Sequence, residues 1–329
     1  MTSDIQPGAD EIAEAAALLR AGGLVAFPTE TVYGLGANAL DAAAVQRIFA
    51  AKGRPRYNPL IVHVPDAAAA RALVAEWPDA AARLAARYWP GPLTLVLRKR
   101  PTVPDVVTAG LDAVAVRVPA HPVALALLRA AAVPVAAPSA NRSTELSPTT
   151  AAHVRKSLGD RVDLVLDGGP TSVGIESTVV DLTGARPAIL RPGSIGADEL
   201  VALVGPLAAA TASAGAEPRR SPGQLDRHYA PRAALRLAAS AQAATRLIAE
   251  ARAAGRRVGA VLWSVDGFAD ELRRLPADPA AYARELYATL HALDEAGCDL
   301  IVVEAVPENP AWDGVRDRLA RAAAPAEAP

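Results

Sequence analysis

The feature that most constrains this chain is a break in its apolar pattern. From Gly205 to Pro231 the periodicity of buried residues stops, and the run Ala-Ala-Ala-Thr-Ala-Ser-Ala-Gly-Ala-Glu-Pro-Arg-Arg-Ser-Pro-Gly is small, polar and proline-bearing. Such a composition serves as a connector because it has too little apolar surface to fill a core. The 329 residues also exceed what one hydrophobic core usually serves. Three segments follow: a domain over residues 1–205, a linker over 206–232 and a smaller domain over 233–329.

Within the first segment, apolar residues recur at helical spacing from Asp10 to Arg20 and stop at a glycine pair. Short apolar runs predict strands at Leu24–Phe27, Leu60–Val64, Leu93–Leu97, Val114–Val118, Val133–Ala137, Val162–Leu166, Thr178–Leu182 and Ala188–Leu190. Helices are predicted from Asp41 to Lys52, after Asp66, at Pro122–Ala132 and at Pro148–Leu158, with Ser147 as an N-cap. Strands and helices do not alternate strictly, so the expected fold is α/β with a mixed, twisted sheet. The last segment reads as strand, helix, strand, helix, strand and helix, a small Rossmann-like unit without a glycine-rich nucleotide turn.

Composition removes several function classes. Hydrophobic residues make up 51%, which excludes wholesale disorder. Lys plus Arg number 34 against 35 Asp plus Glu, and aromatics are 4%, so a basic coat with stacking platforms for RNA is excluded. Cys298 stands alone, which excludes an intrachain disulfide, a cysteine zinc site or an iron–sulfur cluster and fits a reducing, cytoplasmic setting. No apolar run is long enough to span a bilayer, and the first residues lack a signal-peptide pattern.

Polar residues gather at strand ends. Pro28-Thr29-Glu30-Thr31-Val32-Tyr33-Gly34 follows a buried strand and reads equally as a ligand loop and as a turn capped by its own hydroxyls. Lys52, Arg54 and Arg56 lie within five residues beside Gly53 and Pro55, a pattern suited to phosphate. Arg117 interrupts an apolar strand, so it needs an anionic partner from the protein or a ligand. Ser139, Asn141 and Ser147 follow a further strand, Ser177 and Arg191 sit at strand ends, and the linker itself holds Arg227, His228 and Tyr229. Among these segments no Ser-His-Asp system, metal-ligand cluster or Walker motif is found. Cations and hydroxyls at strand ends point to a phosphorylated, carboxylate-bearing small molecule bound by positioning and electrostatics.

Phe27-Pro28-Thr29-Glu30-Thr31-Val32-Tyr33-Gly34-Leu35, Lys52-Gly53-Arg54-Pro55, Asn58-Pro59-Leu60-Ile61-Val62-His63, Pro138-Ser139-Ala140-Asn141, Ser147-Pro148-Thr149, Glu176-Ser177-Thr178 and Arg191-Pro192-Gly193, in that order, resemble the YrdC/Sua family of threonylcarbamoyl-AMP synthases. Ser221-Pro222-Gly223 with His228-Tyr229-Ala230-Pro231 resembles the linker of its longer, Sua-type members. The resemblance implies a nucleotidyltransferase that makes L-threonylcarbamoyladenylate and pyrophosphate from L-threonine, bicarbonate or CO2, and ATP. The product would pass to the transferase machinery that modifies the adenosine next to the anticodon in tRNAs reading ANN codons, with at most weak contact to tRNA itself. It further implies a threonine pocket of Thr31, His63, Arg117 and Ser177, with Arg117 on the carboxylate. Lys52, Arg54, Asn58, Ser139, Asn141, Ser147 and Arg191 would meet ATP, and Arg227, His228 and Tyr229 would form a lid. Mg2+ is expected with ATP, without dedicated protein ligands. Thr144 stands where members often have Gly, Ala113 where they often have Thr, and Gln224 where they often have Met. A hydrogenase-maturation carbamoyltransferase would carry cysteine-rich zinc fingers, which one cysteine cannot build. A scaffold role for the C-terminal segment stays open.

Overall fold

The computed structural model describes residues 6–208, 228–264 and 269–325, and it contains two sheets. The first is built from β1 (Val25–Phe27), β2 (Gly34–Asn38), β3 (Ile61–His63), β4 (Leu93–Arg98), β5 (Ala113–Arg117), β6 (Val135–Ala136), β7 (Leu164–Val165), β8 (Thr178–Asp181) and β9 (Ala188–Arg191). Its order is β7-β1-β2-β6-β3-β5-β4-β8-β9, with parallel and antiparallel neighbours mixed as expected. The second is a four-stranded parallel sheet in the order β10-β13-β11-β12, from β10 (Ala234–Ala238), β11 (Val258–Leu262), β12 (Glu271–Arg274) and β13 (Leu300–Glu304).

Local chemistry aims the site residues. The Asp41 carboxylate accepts from the Ala43 and Ala44 amides and starts helix Ala42–Lys52, and Gly53 ends it in the left-handed region at φ 62. A glycine adopts that conformation without strain, so Lys52 faces inward and Arg54 follows at once. Strands β3 and β5 run parallel, and their register puts His63 beside Arg117 at the same end. Alternation works as expected on β5: Val114, Val116 and Val118 enter the main core, while Ala115 turns to the opposite, smaller cluster on the face that carries Arg117.

Several elements differ from the sequence reading. Helices Asp79–Tyr88 and Ala197–Val204 and strands β2 and β12 form without having been expected. Ser147 is not an N-cap. Helix Ala151–Leu158 is capped by Thr150, whose hydroxyl accepts from the His153 amide, and Ser147 is drawn instead toward Glu176. The domains share apolar material: Val32, Leu146 and Ile175 of the first pack in one cluster with Tyr229, Tyr287, Val315 and Leu319.

Candidate functional site

The ends of β1, β3, β5 and β6 converge on one pocket, lined by Thr29, Thr31, Arg54, Ile61, His63, Arg117, Ser139, Glu176, Arg191, His228 and Tyr229 among others. Three of the four residues expected for threonine therefore meet there, together with three of the seven expected for ATP. His228 and Tyr229 also line it, both buried, whereas Arg227 and Ser221 to Gly223 lie outside the described residues.

Thr29 knots the first loop. Its hydroxyl donates to the Val32 carbonyl at 2.6 Å and lies 2.8 Å from the Thr31 hydroxyl. The loop thus caps its own backbone, as the turn reading expected, and it presents Thr31 to the pocket. Glu30, which sequence reasoning left without a role, answers the charge of Arg117: Arg117 Nη2 donates to its Oε1 at 2.7 Å, and the Ala120 amide donates to Oε2 at 2.9 Å. Arg117 Nε donates to the Gly91 carbonyl at 3.3 Å. A buried guanidinium so braced from behind is held in one orientation. Next to it, burial and then the Arg117 charge push the His63 imidazole down from 6.5 to about 3. His63 is therefore neutral, and its Nδ1 is buried without a hydrogen-bond partner.

The cation trio divides. Arg54 donates from Nε to the Asn58 carbonyl at 3.1 Å and from Nη2 to the Pro59 carbonyl at 2.9 Å, and it lines the pocket. Lys52 stands behind the wall and clasps the loop of Ser139, donating to the Ser139 carbonyl at 2.5 Å and to the Asn141 carbonyl. Burial, then the nearby Arg54 charge, lowers its pKa well below the ordinary lysine range. Asn58 and Asn141 also stand behind the wall, buried, and their side-chain oxygens have no hydrogen-bond partner. Such buried amides are uncommon without a functional reason. Ser177 accepts from Arg191 through its carbonyl at 3.0 Å and through its hydroxyl at 3.1 Å, and its hydroxyl also meets Thr94 at 2.7 Å.

Glu176 organises the far wall. Its Oε1 accepts from the Ser147 hydroxyl at 2.5 Å, and its Oε2 accepts from Arg318 Nε at 2.7 Å and from the Tyr287 hydroxyl at 3.2 Å. Burial by itself would raise this carboxyl, but the charges of Arg318 and Arg191 with the Ser147 and Arg318 hydrogen bonds outweigh it and hold it at about 2. Sequence reasoning missed Arg318. The signal was present, because Gly314, Val315, Leu319 and Ala322 form the buried stripe of helix Asp313–Ala323 and Arg318 falls on the same stripe. Thr144, where the family often has Gly, adopts φ 71, a left-handed conformation costly for a β-branched residue.

The fold and the pocket define a two-domain α/β enzyme class: an arginine-rich pocket at the strand ends of the first domain, lined on one side by His228 and Tyr229 from the segment leading into the second. Residues 17–193 match the Sua5/YciO/YrdC family, described as telomere recombination, and residues 195–324 match the threonylcarbamoyl-AMP synthase C-terminal domain. Threonylcarbamoyl-AMP synthase of Pyrococcus abyssi is 45% identical over 94% of this chain and 92% of its own length. The Bacillus subtilis enzyme of that name is 43% identical over 98% and 96%. The crystal structure of P. abyssi Sua5 complexed with L-threonine superposes with a TM-score of 0.92 at 43% identity, over 97% of this chain and 95% of that one. A P. abyssi Sua5 with a His–Tyr pair changed to alanines gives 0.90 at 40% identity, over 98% and 95%. The chain belongs to the threonylcarbamoyl-AMP synthase family in its two-domain form, and it is an enzyme of that kind.

Proposed function

We propose that the pocket joins L-threonine, CO2 or bicarbonate, and ATP into threonylcarbamoyl-AMP and pyrophosphate. The observation that carries this is the charge count at the pocket wall: Arg54, Arg117 and Arg191 face a single lining carboxylate, Glu176. A site with such an excess of guanidinium suits a ligand set rich in carboxylate and phosphate. Braced by Glu30, Arg117 pairs with the threonine carboxylate. The Thr31 hydroxyl and neutral His63 serve the hydroxyl and amine, and Ser177 supports Arg191 from behind. The amine adds to CO2 and gives up a proton to solvent, or condenses with bicarbonate and releases water, to give N-carboxy-threonine, whose carboxylate attacks the α-phosphate in line as pyrophosphate leaves. Arg54 and Arg191 neutralise charge on the reacting phosphates, while Lys52, Asn141 and Ser147 hold the loops on which Ser139 and Glu176 sit and the Asn58 carbonyl steadies Arg54. Magnesium arrives with ATP. Glu30 and Glu176 are each taken by an arginine, so phosphate oxygens and water would be its ligands.

His228 and Tyr229, buried against the pocket, act as the lid that shields the labile carbamate and adenylate from water. The catalytic unit is residues 1–205, the linker and lid 206–232, and the second domain 233–329. The product is consumed by the tRNA threonylcarbamoyl transferase machinery in the cytoplasm. Among the described residues no helix is long and apolar enough to cross a membrane. Pyrophosphate release with each component omitted in turn tests the reading. Release is expected only with threonine, bicarbonate and ATP-Mg together, and equal release without threonine overturns it.

A further inference from the structure

Arg318 belongs to the second domain, yet every polar group it reaches outside its own helix is in the first domain, on Glu176 of the pocket wall or on Pro192 next to Arg191. Its side chain is 0% exposed. Nε donates to Glu176 Oε2 at 2.7 Å, Nη1 to the Pro192 carbonyl at 2.8 Å and Nη2 to the Glu176 carbonyl at 3.3 Å. Its guanidinium also lies over the Tyr229 ring, 5.3 Å from the centroid. On the same helix, a Cβ added at Gly314 would fall 2.6 Å from the Gly193 carbonyl, so the helix backbone rests directly on the turn after Arg191. That approach leaves the fork no play relative to residues 191–193.

These contacts all lead to one half of the site. Through Glu176 the fork sets Ser147, through the Pro192 carbonyl it sets the turn carrying Arg191, and through the ring it sets Tyr229. The other half is independent of it. Arg117 is bonded to Glu30 and Gly91, and Thr31 is tied to Thr29, all in the first domain.

We infer that Arg318 is a positioning residue for the nucleotide half of the pocket, supplied by the C-terminal domain. The inference rests on the proposed function, since that reading puts Arg191 on the ATP phosphates, Ser147 behind the loop of Glu176 and Tyr229 in the lid over the adenylate. It gives the second domain a task in the reaction beyond attachment: without the fork, Glu176 is a buried carboxylate free to turn or take a proton, and the wall it organises loosens.

The experiment compares the full-length chain with Arg318→Met and Arg318→Lys. It measures the KM for ATP by pyrophosphate release, the Kd for L-threonine by calorimetry, and melting. Met removes charge and fork; Lys keeps charge but offers no planar fork. For Arg318→Met the KM for ATP is expected to rise about tenfold or more while the threonine Kd stays within about twofold, and Arg318→Lys to fall between. With Met, burial opposed by Arg191 and the Ser147 hydroxyl but no longer by Arg318 moves the Glu176 carboxyl upward, so the KM for ATP is also expected to rise further on acidification as Glu176 takes a proton, which a purely structural role would not produce. Should Arg318→Met not yield folded protein, Arg318→Lys carries the same split. Parallel weakening of both ligands, or unchanged ATP kinetics, overturns the inference. Absence of threonine-dependent release from the wild-type chain overturns the functional reading instead.

Discussion

The two sheets obey the same packing physics and differ in what they bury. The first domain encloses Glu30, Lys52, Arg54, Arg117, Glu176, Asp181 and Arg191, while among the described residues after Pro231 only Glu304 and Arg318 are charged and buried. Enclosing charge costs stability unless each group is paired, so a fold retains such a set where chemistry requires it. Glu304 is used locally, accepting from the Trp263 and Ser264 amides at 3.0 and 3.1 Å. Arg318 is spent on the other domain. The second sheet is thus a well-packed platform whose one outward-directed buried charge enters its neighbour's site.

The largest effect is expected at Arg117. Replacing it with Ala leaves Glu30 buried without its counter-ion, which costs about 3–5 kcal/mol, and, on the proposed function, removes the partner of the threonine carboxylate. Urea unfolding should show the loss, and calorimetry should show threonine affinity down by at least about a hundredfold. Arg117→Met combined with Glu30→Gln should recover much of the stability but none of the affinity. Recovery of both would make the pair structural only.

Acid should separate the two regions next. Burial pushes His63 and His228 from 6.5 to about 3. The unfolded chain therefore binds protons near 6.5 that the folded chain refuses until about 3, so stability is lost as pH falls through that window. Each histidine contributes up to about 1.4 kcal/mol per pH unit there. Urea midpoints from pH 7 to 4 should drop steeply, and His63→Asn with His228→Asn should flatten the slope. An unchanged slope would place the titration elsewhere.

Lys52 comes third. Clustered cations in the sequence suggest that its removal would spare melting, and its burial corrects that. Lys52→Met leaves the buried Asn141 carbonyl without its donor and the Ser139 carbonyl with the Asn141 amide alone, and should cost about 1–3 kcal/mol as well as turnover. Undiminished stability in a denaturation series would mean the loop around Ser139 holds itself.

The smallest effect is expected where the domains meet in solvent. Lys156 and Glu295 pair at 2.8 Å but are 44% and 49% exposed. Glu295→Gln should shift unfolding by at most about 0.5 kcal/mol. A loss comparable to that of Arg318→Met would mean that domain docking is not centred on the buried fork.

Legibility followed burial pattern. Strands such as Leu93–Arg98 and Ala113–Arg117 announced themselves because continuous Val and Leu runs have few other ways to hide from water. Gly34–Asn38 did not: two glycines in five residues argue locally against a strand, and only pairing with β1 and β6 makes it one. Glu271–Arg274 reads as a charged connector and becomes a strand because it lies at an edge beside β11. Ser147 shows the same limit in the site. A Ser before Pro is a good cap by local rules, but Glu176, 29 residues away, competes for its hydroxyl.

Sequence alone determined the division into two α/β units, the strand ends that carry hydroxyls and cations, and the demand that Arg117 find an anion, because periodicity and buried charge are properties of short segments. Which anion it finds, Glu30 from a loop 87 residues earlier, was decided by the register of β3 and β5 and the return of β1. Tertiary structure alone decided that Lys52 clasps a loop while Arg54 lines the pocket, and that a helix near the C-terminus sends Arg318 into that pocket's wall. Hydrogen bonds and ion pairs act over a few ångströms of space, and the fold sets which residues come within that distance.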